Sequence, residues 1–473
     1  MAKAKAKEVS FDWSPKNGWD GLTKREEKSL EKYCSEYMEF LSKSKTERLA
    51  YTESVKLAEA HGYVNISEKK KLKAGDKIYI GFNGKTIMLV NIGNKPLTDG
   101  LRIVGGHTDA PRLDSKPVPL YEDGGVVLLD TSYYGGIRKY HWVSSTLAIH
   151  GVVVKEDGSK VDISIGEDLT DPIFTITDLL PHLAAKQSKL PLSTAITGEG
   201  LNVLVGSRPI DKKSDKIKNP IKENILKILN EKYGITEEDF VSAELEIVPA
   251  GPAREIGFDR SMIGGYGHDD RVCAYAGLRA ALDMKEIPEY TSVVLMCDKE
   301  EIGSEGNTGM NSFFFENTVA EVLALENSKS TNLNVRRCLS RSKMLSADVC
   351  CLHDPNYPDV SAPNGNMAKM NHGCVLVKYT GSRGKSGGSD ASAEFVGEIR
   401  SIFNEAKVCW QMGLIGKVDE GGGGTISKFM ARYGMEVIDC GVGLFGMHST
   451  VEVAGKIDIY MTYKGYKAFF EKK

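Results

Sequence analysis

Five short segments spread along the chain carry side chains of metal-binding type: Gly105-Gly106-His107-Thr108-Asp109, His268-Asp269-Asp270-Arg271, Asp298-Lys299-Glu300-Glu301, Ser346-Ala347-Asp348 and Gly446-Met447-His448-Ser449. Together they supply two imidazoles, several carboxylates and a Glu-Glu pair, the donor types that a pair of zinc ions and a general base require. Asp109, two residues after His107, is spaced to hold that imidazole as a supporting carboxylate. Asp269 and Asp270 suit the start of a helix near Arg271, where acidic residues are favoured, and one of them can bridge two cations while its neighbour caps. Adjacent carboxylates such as Glu300 and Glu301 repel and raise one another's pKa unless a cation or hydrogen bonds compensate. In such a pair one glutamate binds metal, and the other takes a proton from water whose pKa the metal lowers to roughly 7. Alone, Asp348 also reads as a turn residue.

Other motifs fail on spacing. Gly381-Ser382-Arg383-Gly384-Lys385-Ser386 resembles a phosphate loop, but the position needed for its first glycine is Tyr379. No HExxH helix is present, which excludes the one-zinc protease pattern. The run Gly421–Gly424 after Asp419-Glu420 either lets backbone approach a ligand closely or forms a mobile loop. His61, His141, His150, His182, His268, His353 and His372 default to surface or core roles. Nine cysteines, an odd count without a CxxC pair, indicate reduced thiols rather than a disulfide framework. The adjacent Cys350 and Cys351, close to Asp348, leave a soft metal site conceivable.

The elements that must carry these residues follow from periodicity. Lys24 to about His61 has apolar residues at three- and four-residue spacing and reads as one helix stopped by Gly62. Lys77–Phe82 and Thr86–Ile92 flank Asn83-Gly84, a strong hairpin signal. Leu101–Val104 is a strand that delivers His107 to its carboxyl end, where ligands bind in α/β sheets. The two glycines before His107 let the chain turn sharply. Later, Arg271–Leu282 and Asp390–Ala406 read as helices, Ser292–Cys297 and Glu436–Cys440 as strands, and His448 follows the last of these. Between about Pro117 and Val248 the texture changes to short β-branched runs (Gly125–Leu129, Thr146–Val154, Val161–Ile165). A basic exposed loop, Arg208–Lys218, and a helix capped by Asn219 and stopped at Gly234 complete this stretch. The expected architecture is α/β: a mixed-sheet α/β/α catalytic domain from residues 1–116 and 249–473, interrupted by a β-rich oligomerisation domain over 117–248.

At 473 residues the chain exceeds one ordinary core, which supports two domains. Lys and Arg number 61 against 64 Asp and Glu, so no net field attracts nucleic acid or an anionic membrane. No apolar run is long enough to span a bilayer, and the opening Met-Ala-Lys-Ala-Lys lacks the apolar stretch of a signal peptide, so a cytoplasmic protein is expected.

In this order and with these separations, Val-Gly-Gly-His107-Thr-Asp-Ala-Pro, Asp-Lys-Glu300-Glu301-Ile-Gly-Ser-Glu, Ser-Ala-Asp348 and Met-His448-Ser resemble the aspartyl aminopeptidase and aminopeptidase I family of zinc metallopeptidases. The resemblance covers nearly the whole chain. It implies that His107, Asp269, Glu301, Asp348 and His448 bind two zinc ions with Asp269 bridging, that Glu300 is the general base and that Asp109 orients His107. Cobalt or manganese could fill the same donor set. It further implies a cis peptide between Asp269 and Asp270, removal of one residue from peptides with a free N-terminus, and a homo-oligomer, usually of twelve subunits. Departures bear on side-chain preference. The His-x-x-His run of aspartyl-specific members is replaced by Val349-Cys350-Cys351-Leu352-His353-Asp354, the neighbouring subunit's histidine by Lys186, and a Trp-x-Asp-Arg stretch by Trp142-Val143-Ser144-Ser145. Lys378 lies near the position of an acid-reading lysine. Lys378, Asp419 and His353 are therefore the candidate substrate contacts, with the preference open between acidic and neutral residues. The rival readings are a two-zinc deacylase or carboxypeptidase with the same ligands, and a metal-stabilised particle without activity.

Overall fold

A computed structural model of the chain describes residues 11–211 and 217–473. The opening Met-Ala-Lys segment and residues 212–216 of the basic loop lie outside the described residues.

The first helical stretch is two helices, Lys24–Lys43 and Glu47–Ala60. The break falls in the polar run Ser42–Arg48, which has no apolar residue and which the sequence reads as helix. Thr46 adopts an extended conformation and its hydroxyl accepts the Leu49 N–H, a cap that starts a new helix. The hairpin forms at the residues that signal it: Lys77–Phe82 pairs with Thr86–Asn91, and Asn83 and Gly84 both take the positive φ that such a turn needs.

Nine strands make the main sheet, in the order Val64–Asn65, Lys77–Phe82, Thr86–Asn91, Ser292–Cys297, Arg102–His107, Lys343–Ser346, Glu436–Gly441, Cys374–Val377 and Trp410–Met412. It is mixed, but the four strands from Ser292–Cys297 to Glu436–Gly441 run parallel to one another. Alternate side chains face opposite layers. Val104, Val294, Leu345 and Ile438 pack with helices Lys24–Lys43, His268–Leu282, Ala393–Glu405 and Lys456–Glu471. Ile103, Val293, Met344 and Val437 pack with helices Phe314–Glu326, Asn332–Arg341 and Ser427–Ala431. This is an α/β/α sandwich whose parallel centre aims four carboxyl ends at one edge.

A second, six-stranded antiparallel sheet draws all its strands from the interval Arg112–Pro249, with Arg112–Asp123 between Ala243–Pro249 and Val126–Tyr134. Its own core contains Leu113, Leu129, Trp142, Ile149 and Ile247, and helix Pro220–Tyr233, ended by left-handed Gly234, packs on it through Ile221. A third sheet of five short strands includes Met262–Gly265, Gly443–Phe445 and Glu452–Gly455. The phosphate-loop look-alike is part of a ribbon in which Gly381–Ser382 pairs with Gly422–Gly423, so it shares the glycine-rich run's structure. Among the described residues no helix is long and apolar enough to cross a membrane.

Candidate metal centre

His107 ends its strand, beside Cys297 in the neighbouring one. Gly105 and Gly106 sit within the extended strand and make no sharp turn; their function is close approach. A Cβ on Gly106 would lie 2.4 Å from Asp270 Oδ2 and 2.6 Å from the Ala347 carbonyl, so the absence of side chain lets the segments bearing the candidate ligands Asp269 and Asp348 reach the strand. Asp270 Oδ2 accepts the His107 N–H at 3.3 Å. The peptide between Asp269 and Asp270 is cis. Both aspartates sit at the start of helix His268–Leu282 with non-helical backbone angles.

Asp269 stands between the two imidazoles. Its Oδ1 is 3.2 Å from His107 Nε2 and its Oδ2 is 3.2 Å from His448 Nε2. Each ring is oriented from behind. His107 Nδ1 donates to the Asp109 carbonyl at 3.0 Å and lies 3.2 Å from the Asp109 carboxylate. His448 Nδ1 donates to the Gly136 carbonyl at 2.8 Å. A carbonyl only accepts, so each ring carries a hydrogen on Nδ1, and in its neutral form turns the Nε2 lone pair inward. The Asp109 carboxylate also accepts the N–H groups of Glu300 and Glu301 at 3.1 and 3.2 Å and the Tyr134 hydroxyl at 2.8 Å.

Glu301 Oε1 lies 3.5 Å from His448 Nε2, and Glu300 Oε2 lies 3.9 Å from His107 Nε2. His107, Glu300 and Asp348 offer ligand atoms within 4.8 Å of one another, and so do His107, Asp269 and Glu301. Among the described residues neither of these groups contains a cysteine, and Cys350 and Cys351 are free thiols.

Such crowding moves proton affinities. Burial, then neighbouring carboxylates, push Glu301 and Asp348 well above the usual carboxylate range and Glu300 up to about 7. Burial opposes charge on the histidines as well, but the surrounding carboxylates win, holding His107 well above the ordinary imidazole range and His448 up at about 10. A divalent cation resolves both conflicts, replacing the imidazole protons and neutralising the carboxylates. Among the described residues, buried Asp269 Oδ1 and Glu301 Oε1 face the imidazole Nε2 atoms at 3.2 and 3.5 Å, and a cation held between them would satisfy all four. Two imidazoles with carboxylates suit zinc.

Tyr134, Gly136 and Glu452 were not legible in the sequence as parts of the site. Glu452, fully buried on its short strand, accepts the Asp269 N–H at 3.0 Å and the His448 N–H at 2.7 Å, tying together two candidate ligands. The available signal was a lone acid between Val451 and Val453, four residues after His448.

The centre opens into a cleft of about 400 Å³ whose walls include Val349, Ile415, Gly422, Lys428, Phe429 and Met447. Lys378, Asp419 and His353 do not line it. The Lys378 carbonyl accepts the Ala391 N–H, His353 Nδ1 is 2.8 Å from the Ser361 hydroxyl, and Asp419 is exposed.

The profile of the family described as "Aminopeptidase I zinc metalloprotease (M18)" matches residues 40–470. A relative from Clostridium acetobutylicum, named "Probable M18 family aminopeptidase 1", is 50% identical over 458 residues, covering 96% of this chain and 97% of its own. The crystal structure of an M18 family aminopeptidase from Thermotoga maritima superposes with a TM-score of 0.93 at 44% identity, covering 98% of this chain and 100% of that one. The S. cerevisiae mApe1 dodecamer shares the fold at 20% identity, with a TM-score of 0.76, covering 94% of this chain and 97% of that one. The chain belongs to the M18 family of aminopeptidase I zinc metalloproteases, and is a metallo-aminopeptidase.

Proposed function

We propose that this centre removes single residues from peptides with a free N-terminus, using two zinc ions held by His107, Asp269, Glu301, Asp348 and His448. The observation that carries the reading is Asp269, which presents one carboxylate oxygen to each imidazole at 3.2 Å and so is poised to bridge. Bound zinc would polarise the scissile carbonyl and bring the pKa of water to roughly 7. Glu300, whose Oε2 lies 3.9 Å from His107 Nε2 beside the pair, is suited to take the proton of the attacking water and hand it to the leaving amine. The free α-amino group is drawn to the carboxylates of the centre, which accounts for a compact cleft instead of a long groove. Val349, Ile415, Phe429 and Met447 in its wall favour a neutral N-terminal side chain over an acidic one read by Lys378.

Residues 1–116 and 249–473 would form the catalytic domain and 117–248 the assembly domain, in line with the separate sheet and core of that interval. Assembly as a homo-oligomer of twelve chains is supported by the fold shared with the S. cerevisiae dodecamer. Nine free cysteines fit a reducing, cytoplasmic setting.

The test is a panel of aminoacyl amides with free or acetylated amines, assayed with zinc-loaded and chelator-treated protein. Chelator-sensitive release from free amines alone is expected, with neutral residues preferred. Release from acetylated substrates would move the reading to a deacylase, and no release from any substrate would remove the peptidase.

A further inference from the structure

We infer that the six-stranded module, beyond any part in assembly, positions the metal centre through three consecutive residues at the end of one strand, Tyr134-Gly135-Gly136. This rests on the metal assignment proposed above. Tyr134 is the last residue of strand Val126–Tyr134, and its hydroxyl donates to Asp109 Oδ2 at 2.8 Å. Asp109 is the hub that contacts the His107 ring and fixes the backbone of both Glu300 and Glu301. Two residues on, the Gly136 carbonyl takes the His448 Nδ1 hydrogen at 2.8 Å. Between them, a Cβ on Gly135 would stand 3.2 Å from the Glu301 Cβ, and Gly135 itself has a φ of +72°. The segment therefore touches the supports of both imidazoles and the base of a carboxylate ligand from a single strand end.

The tyrosine ring is itself fixed. Arg112, its partner in the adjacent strand, stacks over it with the guanidinium carbon 4.0 Å from the ring centroid. Arg112 is buried and held by Asp114 at 2.8 Å, Glu246 at 3.2 Å and Glu47 at 3.3 Å. Glu47 belongs to helix Glu47–Ala60, so the hydroxyl is aimed by a lattice of charges spanning both sheets' territory. Hydrogen bonds behind metal ligands set their orientation and basicity, and losing one costs about 10–100-fold in metal affinity. Tyr134 does not reach the reacting atoms; it is a positioning residue acting through Asp109.

Tyr134→Phe keeps the ring over Arg112 and removes only the donor. Zinc affinity of the metal-free protein is measured by competition with a chromophoric chelator, alongside the visible spectrum of the cobalt form and the melting temperature of the metal-free form. Tyr133→Phe, whose ring is 51% exposed one position earlier, is the control. Expected are an unchanged melting temperature, zinc binding weakened about 10–100-fold in Tyr134→Phe alone, and an altered cobalt spectrum. Zinc binding within about twofold of wild type, or an equal loss in Tyr133→Phe, would overturn the inference. Wild-type protein that binds zinc yet releases no N-terminal residue would sink the peptidase reading, while the affinity ratio still decides the role of Tyr134. Wild type that binds no zinc would end both.

Discussion

Asp269 is the residue on which the two halves of the centre meet. Replacing it with asparagine keeps its size and removes the charge that two cations would share. Metal analysis after dialysis is expected to fall from the proposed two zinc ions per chain to one or none; two retained ions would refute the bridging role. His107, Glu300, Glu301, Asp348 and His448 line one cleft, a grouping that the family resemblance implied and that two adjacent glutamates at the end of an apolar strand signalled, while Asp348 alone also read as a turn residue. Glu452 was not legible, since its meaning depends on a fold contact: the strand Glu452–Gly455 pairs with Met262–Gly265, which places its carboxylate beneath the Asp269 and His448 backbone. Lys378 shows the converse. A lysine near a motif position carries no information about where its side chain lies, and this one, just past the strand Cys374–Val377, is outside the cleft lining.

Four parallel strands set the distances between those residues. Their close fit at Gly106 supplies a test of the element. Gly106→Ala would drive a methyl into Asp270 Oδ2 and the Ala347 carbonyl, a crowding of the kind that costs about 1–3 kcal/mol. A lower melting temperature together with weaker zinc retention is expected, whereas a variant with wild-type melting and wild-type zinc would show that the strand tolerates the contact. Three of the four central strands, Arg102–His107, Ser292–Cys297 and Glu436–Gly441, were legible as short apolar runs followed by chemistry, whereas Lys343–Ser346, with only Met344 and Leu345 apolar, was not legible as a strand. The break between Lys43 and Glu47 was not legible either, because Leu41 and Leu49 keep helical phase across it and only the polar run Ser42–Arg48 and the Thr46 cap mark it. Reading Gly105 and Gly106 as a turn also missed, because a sequence does not separate a glycine needed for φ from one needed for room.

Across the whole molecule, the two sheets are tied by buried charge. Glu47 lies 3.3 Å from Arg112 and 3.1 Å from Lys85, at the tip of the hairpin, while Arg112 reaches Glu246 in the six-stranded sheet. Burial opposes the Glu47 charge, yet Arg112 and Lys85 hold its carboxyl well below the usual carboxylate range. A depressed carboxylate contributes stability that is complete above the unfolded value of about 4.3 and is lost as pH falls through the folded value. Glu47→Gln is expected to cost about 3–5 kcal/mol in denaturant unfolding at neutral pH and to flatten the acid loss of stability. An unchanged acid profile would exclude Glu47 as its source. This network was invisible in the sequence, where its members are separated by up to two hundred positions and each reads as an ordinary surface charge.

In the proposed mechanism Glu300 carries the proton transfer. Zinc-saturated Glu300→Gln, turning over the best free-amine substrate of the panel, is predicted to keep its full zinc content and lose roughly 10²–10⁴-fold in kcat. A variant with full zinc whose kcat stayed within about tenfold of wild type would contradict the assignment of the general base and the mechanism built on it.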